Sequence, residues 1–203
     1  MRLFLLGFIL FFFLKCGSKT TNTSKDIINS ADTEVTETNS NTNDVIISEE
    51  TTLPPGAVIG NYINKETSFY AFVKKINKNK GITSIHFENN YTPPILIKET
   101  YGATIETLRF PEFESDLLLV TAKLKDPIFN KYFLYQFKNG KWVLVVNGFA
   151  IHEDNINEVS TPIEVDPNNP NNMLRFYSVF DLDKTSDKGY TWRLLQESVP
   201  IIK

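Results

Sequence analysis

The chain has 203 residues and a formal net charge of −3. The charge is uneven along the sequence, because residues 54–203 hold equal numbers of acidic and basic side chains and are therefore neutral as a unit. A neutral domain argues against nucleic acid as a partner, since phosphate binding needs a basic excess. It also argues against purely electrostatic binding to anionic lipid. The single cysteine, Cys16, excludes disulfides within the chain.

The first residues have the order of an export signal. Arg2 precedes an apolar stretch over residues 3–14, and Cys16 follows at the head of Cys16-Gly17-Ser18. The stretch is shorter than the roughly 20 residues that a transmembrane helix needs. This segment resembles a bacterial lipoprotein signal peptide. The resemblance implies that residues 1–15 are removed and that Cys16 receives diacylglycerol and a palmitate-like fatty acyl chain, which anchor the protein to a membrane.

Two other interpretations of the amino terminus stay open. The apolar stretch could be an uncleaved anchor that leaves Cys16 as a free thiol, or a general secretory signal cut at another position. The Asn, Lys, Ile and Phe content and the Cys-Gly-Ser-Lys start resemble Bacteroidota lipoproteins. Lys19 and uncharged residues follow Cys16, whereas surface-exported members of that group carry acidic residues there. The resemblance thus favours an outer-membrane lipoprotein that faces the periplasm, with surface exposure as the alternative.

A polar segment separates the cysteine from the rest of the chain. Residues 17–52 are rich in Thr, Ser, Asn, Asp and Glu, contain no aromatic residue and have no periodic apolar face. Such a composition does not bury enough surface to offset the entropy of ordering. We therefore expect residues 16–53 to be a disordered tether, with an r.m.s. reach of roughly 30–36 Å.

Residues 54–203 have the composition and the spacing of turn residues that are typical of one β domain. Short runs of aromatic and β-branched residues alternate with turn residues, which is the signature of strands. Asn139-Gly140 between two apolar runs predicts a tight hairpin. The runs predict an all-β fold, either an antiparallel sandwich or a propeller-like stack of hairpins. The predicted strands are residues 68–76, 82–87, 94–98, 103–110, 117–124, 131–137, 141–147, 174–182 and 190–196.

The most specific internal motif lies near the carboxyl terminus. The run Thr185-Ser186-Asp187-Lys188-Gly189-Tyr190-Thr191-Trp192 resembles the Asp-box (BNR-like) hairpin of sialidase-type β-propellers. The resemblance implies structural roles for Thr185, Asp187, Gly189, Thr191 and Trp192. In such a hairpin the Asp carboxylate accepts turn N–H groups, the Gly takes a positive φ, and the Trp seals the hairpin. A brace in a β domain and a diverged propeller unit both fit the motif.

Three other polar clusters could bind a metal ion or act in catalysis, but each also fits an ordinary surface loop or turn. Asp181, Asp183 and Asp187 alternate like the start of a calcium loop, although the glycine and glutamate of the EF-hand pattern are missing, so a polar loop is favoured over a weak calcium site. His152-Glu153-Asp154 is interpreted as an exposed loop instead of part of a zinc site. Glu112, Glu114 and Asp116 are interpreted as a solvated turn and not as an acid–base pair.

These observations favour binding over catalysis. No catalytic residue is assigned, and no cofactor is expected beyond the lipid on Cys16 and the alternative of calcium. We expect a membrane-anchored lipoprotein of the cell envelope whose β domain binds an envelope protein or a glycan, and we expect it to expose an aromatic patch. The alternative is a glycan-processing hydrolase or glycan-binding protein of the Asp-box type, which would require a cleft lined by carboxylates and arginines.

Overall fold

The computed structural model describes residues 52–202, which form twelve strands, one 3-10 turn and one short helix. The predicted signal peptide, Cys16 and the tether up to residue 51 lie outside this range. No helix among the described residues is long and apolar enough to cross a membrane. The strands are β1 Val58–Gly60, β2 Phe69–Asn77, β3 Ile82–Phe87, β4 Ile95–Lys98, β5 Ala103–Leu108, β6 Leu117–Lys123, β7 Phe129–Lys138, β8 Lys141–Leu144, β9 Phe149–His152, β10 Ile163–Val165, β11 Asn172–Leu182 and β12 Tyr190–Pro200. The helix, α1, spans Glu153–Ile156, and the 3-10 turn spans Glu88–Asn90.

The strands form three sheets, each made from consecutive antiparallel strands. Sheet 1 has the order β1-β2-β3-β4, and sheet 2 has the order β5-β6-β7-β8, with β9 also paired to β7. Sheet 3 has the order β10-β11-β12. The predicted all-β, antiparallel fold is therefore confirmed, and each of the nine predicted strands is present.

The burial of strand β6 shows that sheet 2 lies between sheets 1 and 3. Its first four residues, Leu117 to Val120, are all buried. Leu118 and Val120 belong to a core shared with sheet 1, whereas Leu117 and Leu119 belong to a second core shared with sheet 3. Because successive side chains point to opposite faces of a strand, both faces of sheet 2 are covered. The domain is thus a layered β sandwich with two cores.

The β7–β8 hairpin has the turn that its sequence predicts. Asn139 and Gly140 have φ values of 52° and 76°, as a two-residue turn of this type requires. The prediction of a strand over residues 141–147 was wrong at its end, since β8 stops at Leu144. The chain then bends, and β9 pairs with the first half of β7. At this bend Gly148 lies so close to Phe133 that an added Cβ would be 2.9 Å from its ring.

Strands β11 and β12 form the longest hairpin among the described residues. Their register runs without interruption from Asn172 opposite Pro200 to Leu182 opposite Tyr190. In contrast, β10 pairs only with the segment of β11 that ends at Arg175. Beyond Arg175 the hairpin therefore continues as a two-stranded ribbon. Such a ribbon needs contacts from its faces to be stable.

Candidate binding surface

One face of β11 changes from core to solvent along its length. Phe176 packs against the second core, and Ser178 contacts the segment formed by β9 and α1. Further along the same face, Phe180 is 54% exposed and Leu182 is 77% exposed. The residues opposite them on β12 are Trp192 and Tyr190, respectively. We call these four side chains, Phe180, Leu182, Tyr190 and Trp192, the hairpin patch.

The rings of the hairpin patch contact one another directly. The Phe180 and Tyr190 rings stack with centroids 5.2 Å apart and planes inclined by 30°. The Phe180 ring also meets the Trp192 indole edge-on at 5.6 Å. Tyr190 is 37% exposed, so the outer part of the patch is a continuous apolar surface open to solvent. Surfaces of this kind on soluble domains often mark interaction sites.

Trp192 joins the hairpin patch to sheet 2. Its indole stacks on the buried His152 imidazole, with centroids 4.9 Å apart and planes inclined by 15°. The Phe129 ring meets the same indole at 5.0 Å and a right angle. The exposed rings therefore rest on fixed aromatic neighbours. A surface that is ordered before binding loses less entropy when a ligand arrives.

A buried polar cluster fixes the same junction. The Asn155 amide nitrogen donates to the Ser178 hydroxyl oxygen at 2.9 Å and to the Trp192 carbonyl at 2.8 Å. The backbone N–H of His152 donates to the same Ser178 oxygen at 2.9 Å. The Nδ1 atom of His152 in turn accepts the backbone N–H of Asp154 and caps α1. These bonds hold the hairpin against β9 and α1 at a defined position.

His152 differs from its interpretation as part of an exposed loop. It is buried as the last residue of β9, whereas Glu153 and Asp154 are exposed in α1. Strand β9 was not predicted from the sequence pattern. Within residues 52–202, no group of three or more His, Cys, Asp or Glu side chains is placed to hold one metal ion.

The residues of the run that resembles an Asp-box lie at the turn of the β11–β12 hairpin. Gly189 has a φ of 73°, and Thr191 and Trp192 lie at the start of the outgoing strand. The carboxylate that accepts a turn N–H is that of Asp183, from Thr185 at 2.9 Å, whereas the motif assigns this role to Asp187. The Thr185 hydroxyl donates to the same Asp183 oxygen. These hydrogen bonds hold the pKa of Asp183 below its usual value.

The other two candidate calcium ligands have surroundings of their own. Asp181 forms an ion pair with Arg193 across the hairpin, with 3.4 Å between the nearest nitrogen and oxygen. Asp187 is exposed in the turn. The three carboxylates proposed as calcium ligands thus have different environments in the described structure.

A second polar site lies between sheets 1 and 2 and centres on Asp116. Both Asp116 oxygens accept from the Arg109 guanidinium, at 2.7 and 2.9 Å, and one also accepts the Asn61 backbone N–H at 2.8 Å. The Asp116 side chain is only 5% exposed, whereas that of Arg109 is 72% exposed. The Arg109 hydrogen bonds are the main cause that lowers the pKa of Asp116. A shallow pocket of about 280 Å³ beside this pair is lined in part by Phe110 and Phe113.

The three arginines of the domain are each matched to a separate carboxylate. Arg109 pairs with Asp116, Arg175 with Glu197, and Arg193 with Asp181. Each arginine charge is therefore matched by a carboxylate within the domain. They resemble braces between strands more than an arginine cluster poised for an anionic ligand.

Comparison of the chain with protein-family models, with curated proteins and with solved structures gave no match. The hairpin patch, the His152 junction and the Asp116 site are therefore interpreted from their own geometry.

Proposed function

We propose that this protein is a membrane-anchored lipoprotein of the cell envelope whose β domain binds another macromolecule through the hairpin patch. The observation that carries the binding role is the exposure of Phe180, Leu182 and Tyr190 on a ribbon fixed by Trp192. Burying an apolar side chain contributes about 1.5–3 kcal/mol, so a partner that covers these residues gains substantial free energy. Trp and Tyr, together with Arg, are also the residues that most often dominate binding energies.

The anchoring part of the proposal rests on the sequence. A signal-like segment ends at Cys16, and a polar segment separates that residue from the first described residue, Thr52. Two acyl chains or more on Cys16 give stable attachment, whereas one chain binds only marginally. The tether then lets the domain search the space within roughly 30–36 Å of its anchor. The proposed location is the periplasmic face of the outer membrane.

A binding role fits the polar chemistry better than the alternative of an Asp-box hydrolase. Each arginine of the domain already pairs with a carboxylate, and Asp116 is held by Arg109 and Asn61. A retaining or inverting glycosidase uses two carboxyl groups that face one bound sugar. The groups described above act as braces between strands. We therefore propose no catalytic residue.

One experiment tests the lipid anchor on Cys16 and binding through the hairpin patch by separate measurements. Intact native cells would be treated with a chemical crosslinker, and the adducts of the wild-type chain would be compared with those of Cys16→Ala and of the double variant Phe180→Ser/Leu182→Ser. The mass of the mature amino terminus would be measured in parallel. We expect an acylated Cys16 in the membrane fraction, and an adduct that the double variant loses while staying folded and anchored.

Two results would contradict the proposal in different ways. An unmodified Cys16 thiol would remove the lipoprotein assignment and leave the patch untested by that measurement. An adduct that persists at the wild-type level in the double variant would remove the hairpin patch as the binding surface. The matched control is Leu96→Ser, which changes an exposed leucine of sheet 1 that lies outside the patch.

A further inference from the structure

The outer edge of β12 carries backbone groups that have no strand partner among the described residues. Strand β12 is the last strand of sheet 3 and pairs only with β11. It has eleven residues and no bulge. The other strands at sheet edges are shorter: β1 and β10 have three residues, β4, β8 and β9 have four, and β5 has six. Natural proteins usually shorten, bend or charge such edges to prevent unwanted pairing.

The hairpin geometry identifies which groups of β12 face outward. The N–H of Asp183 donates to the carbonyl of Gly189 at 3.1 Å and closes the ladder. Bonded and non-bonded pairs alternate along antiparallel strands, so every second residue from Tyr190 directs its N–H and C=O away from β11. Two hydrogen bonds agree with this assignment of the outward-facing residues. Phe176 on β11 donates its N–H to Pro162 and not to β12, and the outward carbonyl of Trp192 accepts from Asn155.

Part of this edge is already occupied, and part is free. The Tyr190 carbonyl accepts from the Ser186 hydroxyl, and the Trp192 carbonyl accepts from Asn155. The remaining outward residues in the middle of the strand are Leu194, Gln196 and Ser198. Together they present up to about six backbone donors and acceptors. Their side chains lie on the same face of the sheet as the hairpin patch, because the period of a strand is two.

We infer that the partner of this domain is an extended segment of another protein, which adds to sheet 3 as a fourth strand beside β12. This inference rests on the proposed binding function and specifies its partner. Another backbone supplies donors and acceptors at the spacing of a strand, and alternate side chains of the added segment would cover the neighbouring apolar face. Main-chain bonds give affinity and side-chain contacts give specificity in this mode of recognition.

The charges around the hairpin define the partner segment further. Residues 153–158 and 181–193 contain six acidic and three basic side chains, in a domain whose net charge is zero. Opposite charges at the rim of an interface speed association and exclude wrong partners. The added segment is therefore expected to carry Lys or Arg beside its apolar residues. The acidic side chains are Glu153, Asp154, Glu158, Asp181, Asp183 and Asp187.

The experiment selects peptides against the full chain purified in detergent. The probe is a displayed library of random peptides of about nine residues, a length that spans the free edge of β12. Hydrogen exchange of individual amides is then measured with and without a selected peptide. We expect exchange at Leu194, Gln196 and Ser198 to slow at least about tenfold, because these amides gain hydrogen bonds. Leu195 and Glu197 already bond to β11 and should change little.

Two matched comparisons separate strand addition from side-chain contact. A selected peptide with N-methyl groups on alternate residues keeps its side chains but loses those backbone donors. Two such peptides can be made, one methylated on the odd residues and one on the even residues. We expect the peptide that loses the donors facing β12 to bind at least about tenfold more weakly. This test leaves the protein unaltered. Gln196→Pro removes one outward N–H and should weaken binding, whereas Gln196→Ala retains that N–H and should bind like the wild type.

Each other outcome overturns the inference in a recognisable way. Peptides that depend on Leu182 but leave the three outward amides unprotected would preserve the proposed binding function and remove strand addition. Protection that rises with protein concentration in the absence of peptide would assign the edge to a second copy of this chain. Recovery of no peptide above the background of Gln196→Pro would remove the free edge as a binding site.

Discussion

The imidazole of His152 and the indole of Trp192 stack with ring planes inclined by 15°, and this contact joins the terminal hairpin to sheet 2. We predict that Trp192→Ala destabilises the domain by about 3 kcal/mol, near the lower end for loss of a large aromatic side chain because Trp192 is only partly buried. Urea unfolding would measure this change. Tyr190→Ala, at the exposed end of the patch, should cost about 1 kcal/mol or less. Equal losses for the two variants would contradict the anchoring role of Trp192.

Consecutive residues of β6 should each be important for stability. Leu118 and Leu119 face different cores, so Leu118→Ala and Leu119→Ala should each destabilise the domain by about 2–5 kcal/mol. A sheet with one solvent face would show a large loss for only one of the two. Glu106→Ala, an exposed change on the neighbouring strand β5, serves as the control. A small effect at either leucine would contradict the three-layer arrangement.

Asp116 should give the domain a pH-dependent contribution to stability. Its pKa is lowered in the folded chain by Arg109, so the unfolded chain takes up the proton first as the pH falls, and stability is lost below about pH 3.9. We expect Asp116→Asn to cost about 1–3 kcal/mol at pH 7 and less at pH 3. Glu114→Gln, which changes an exposed carboxylate two residues earlier, is the control. A difference from the wild type that is identical at pH 7 and pH 3 would refute this assignment.

Two buried tyrosines should limit stability in alkali. Burial raises the pKa of Tyr62 and of Tyr135 to about 12. An unfolded tyrosine ionises near pH 10, so the unfolded chain loses its protons first and stability falls as the pH rises from 10 towards 12. Tyr135→Phe should therefore lose less stability over this interval than the wild type. Thermal melts from pH 8 to 11 would measure the difference, and parallel curves would contradict the prediction.

Local sequence patterns predict much of this fold because they report turns and strand periods. Asn139-Gly140 fixes a hairpin through backbone conformation alone, so its prediction needed no tertiary information. Strands β1 and β10 were missed because three residues do not establish a period. The burial of Leu117 to Val120 on both faces was also missing from the prediction, since an unbroken apolar run identifies a strand but not the two layers that cover it.

The candidate site was only partly predictable for a related reason. The alternation of Phe176, Ser178, Phe180 and Leu182 in the sequence predicts that they lie on one face of a strand. Their different exposures depend on where β9 and α1 end against that face, which is a property of tertiary packing. The hydrogen bond between Asn61 and Asp116 likewise joins segments 55 residues apart in the sequence. A pattern of residues along the chain holds no information on such contacts.

The most direct test of the binding proposal is site-specific photocrosslinking in intact native cells. A photoreactive residue would replace Leu182 in the hairpin patch or, as the matched control, the exposed Leu96 of sheet 1. The proposal predicts a discrete protein adduct from position 182 that is absent from position 96 and is lost when Tyr190→Ser is added. Equal adducts from both positions, or none from position 182 in correctly localised protein, would contradict it.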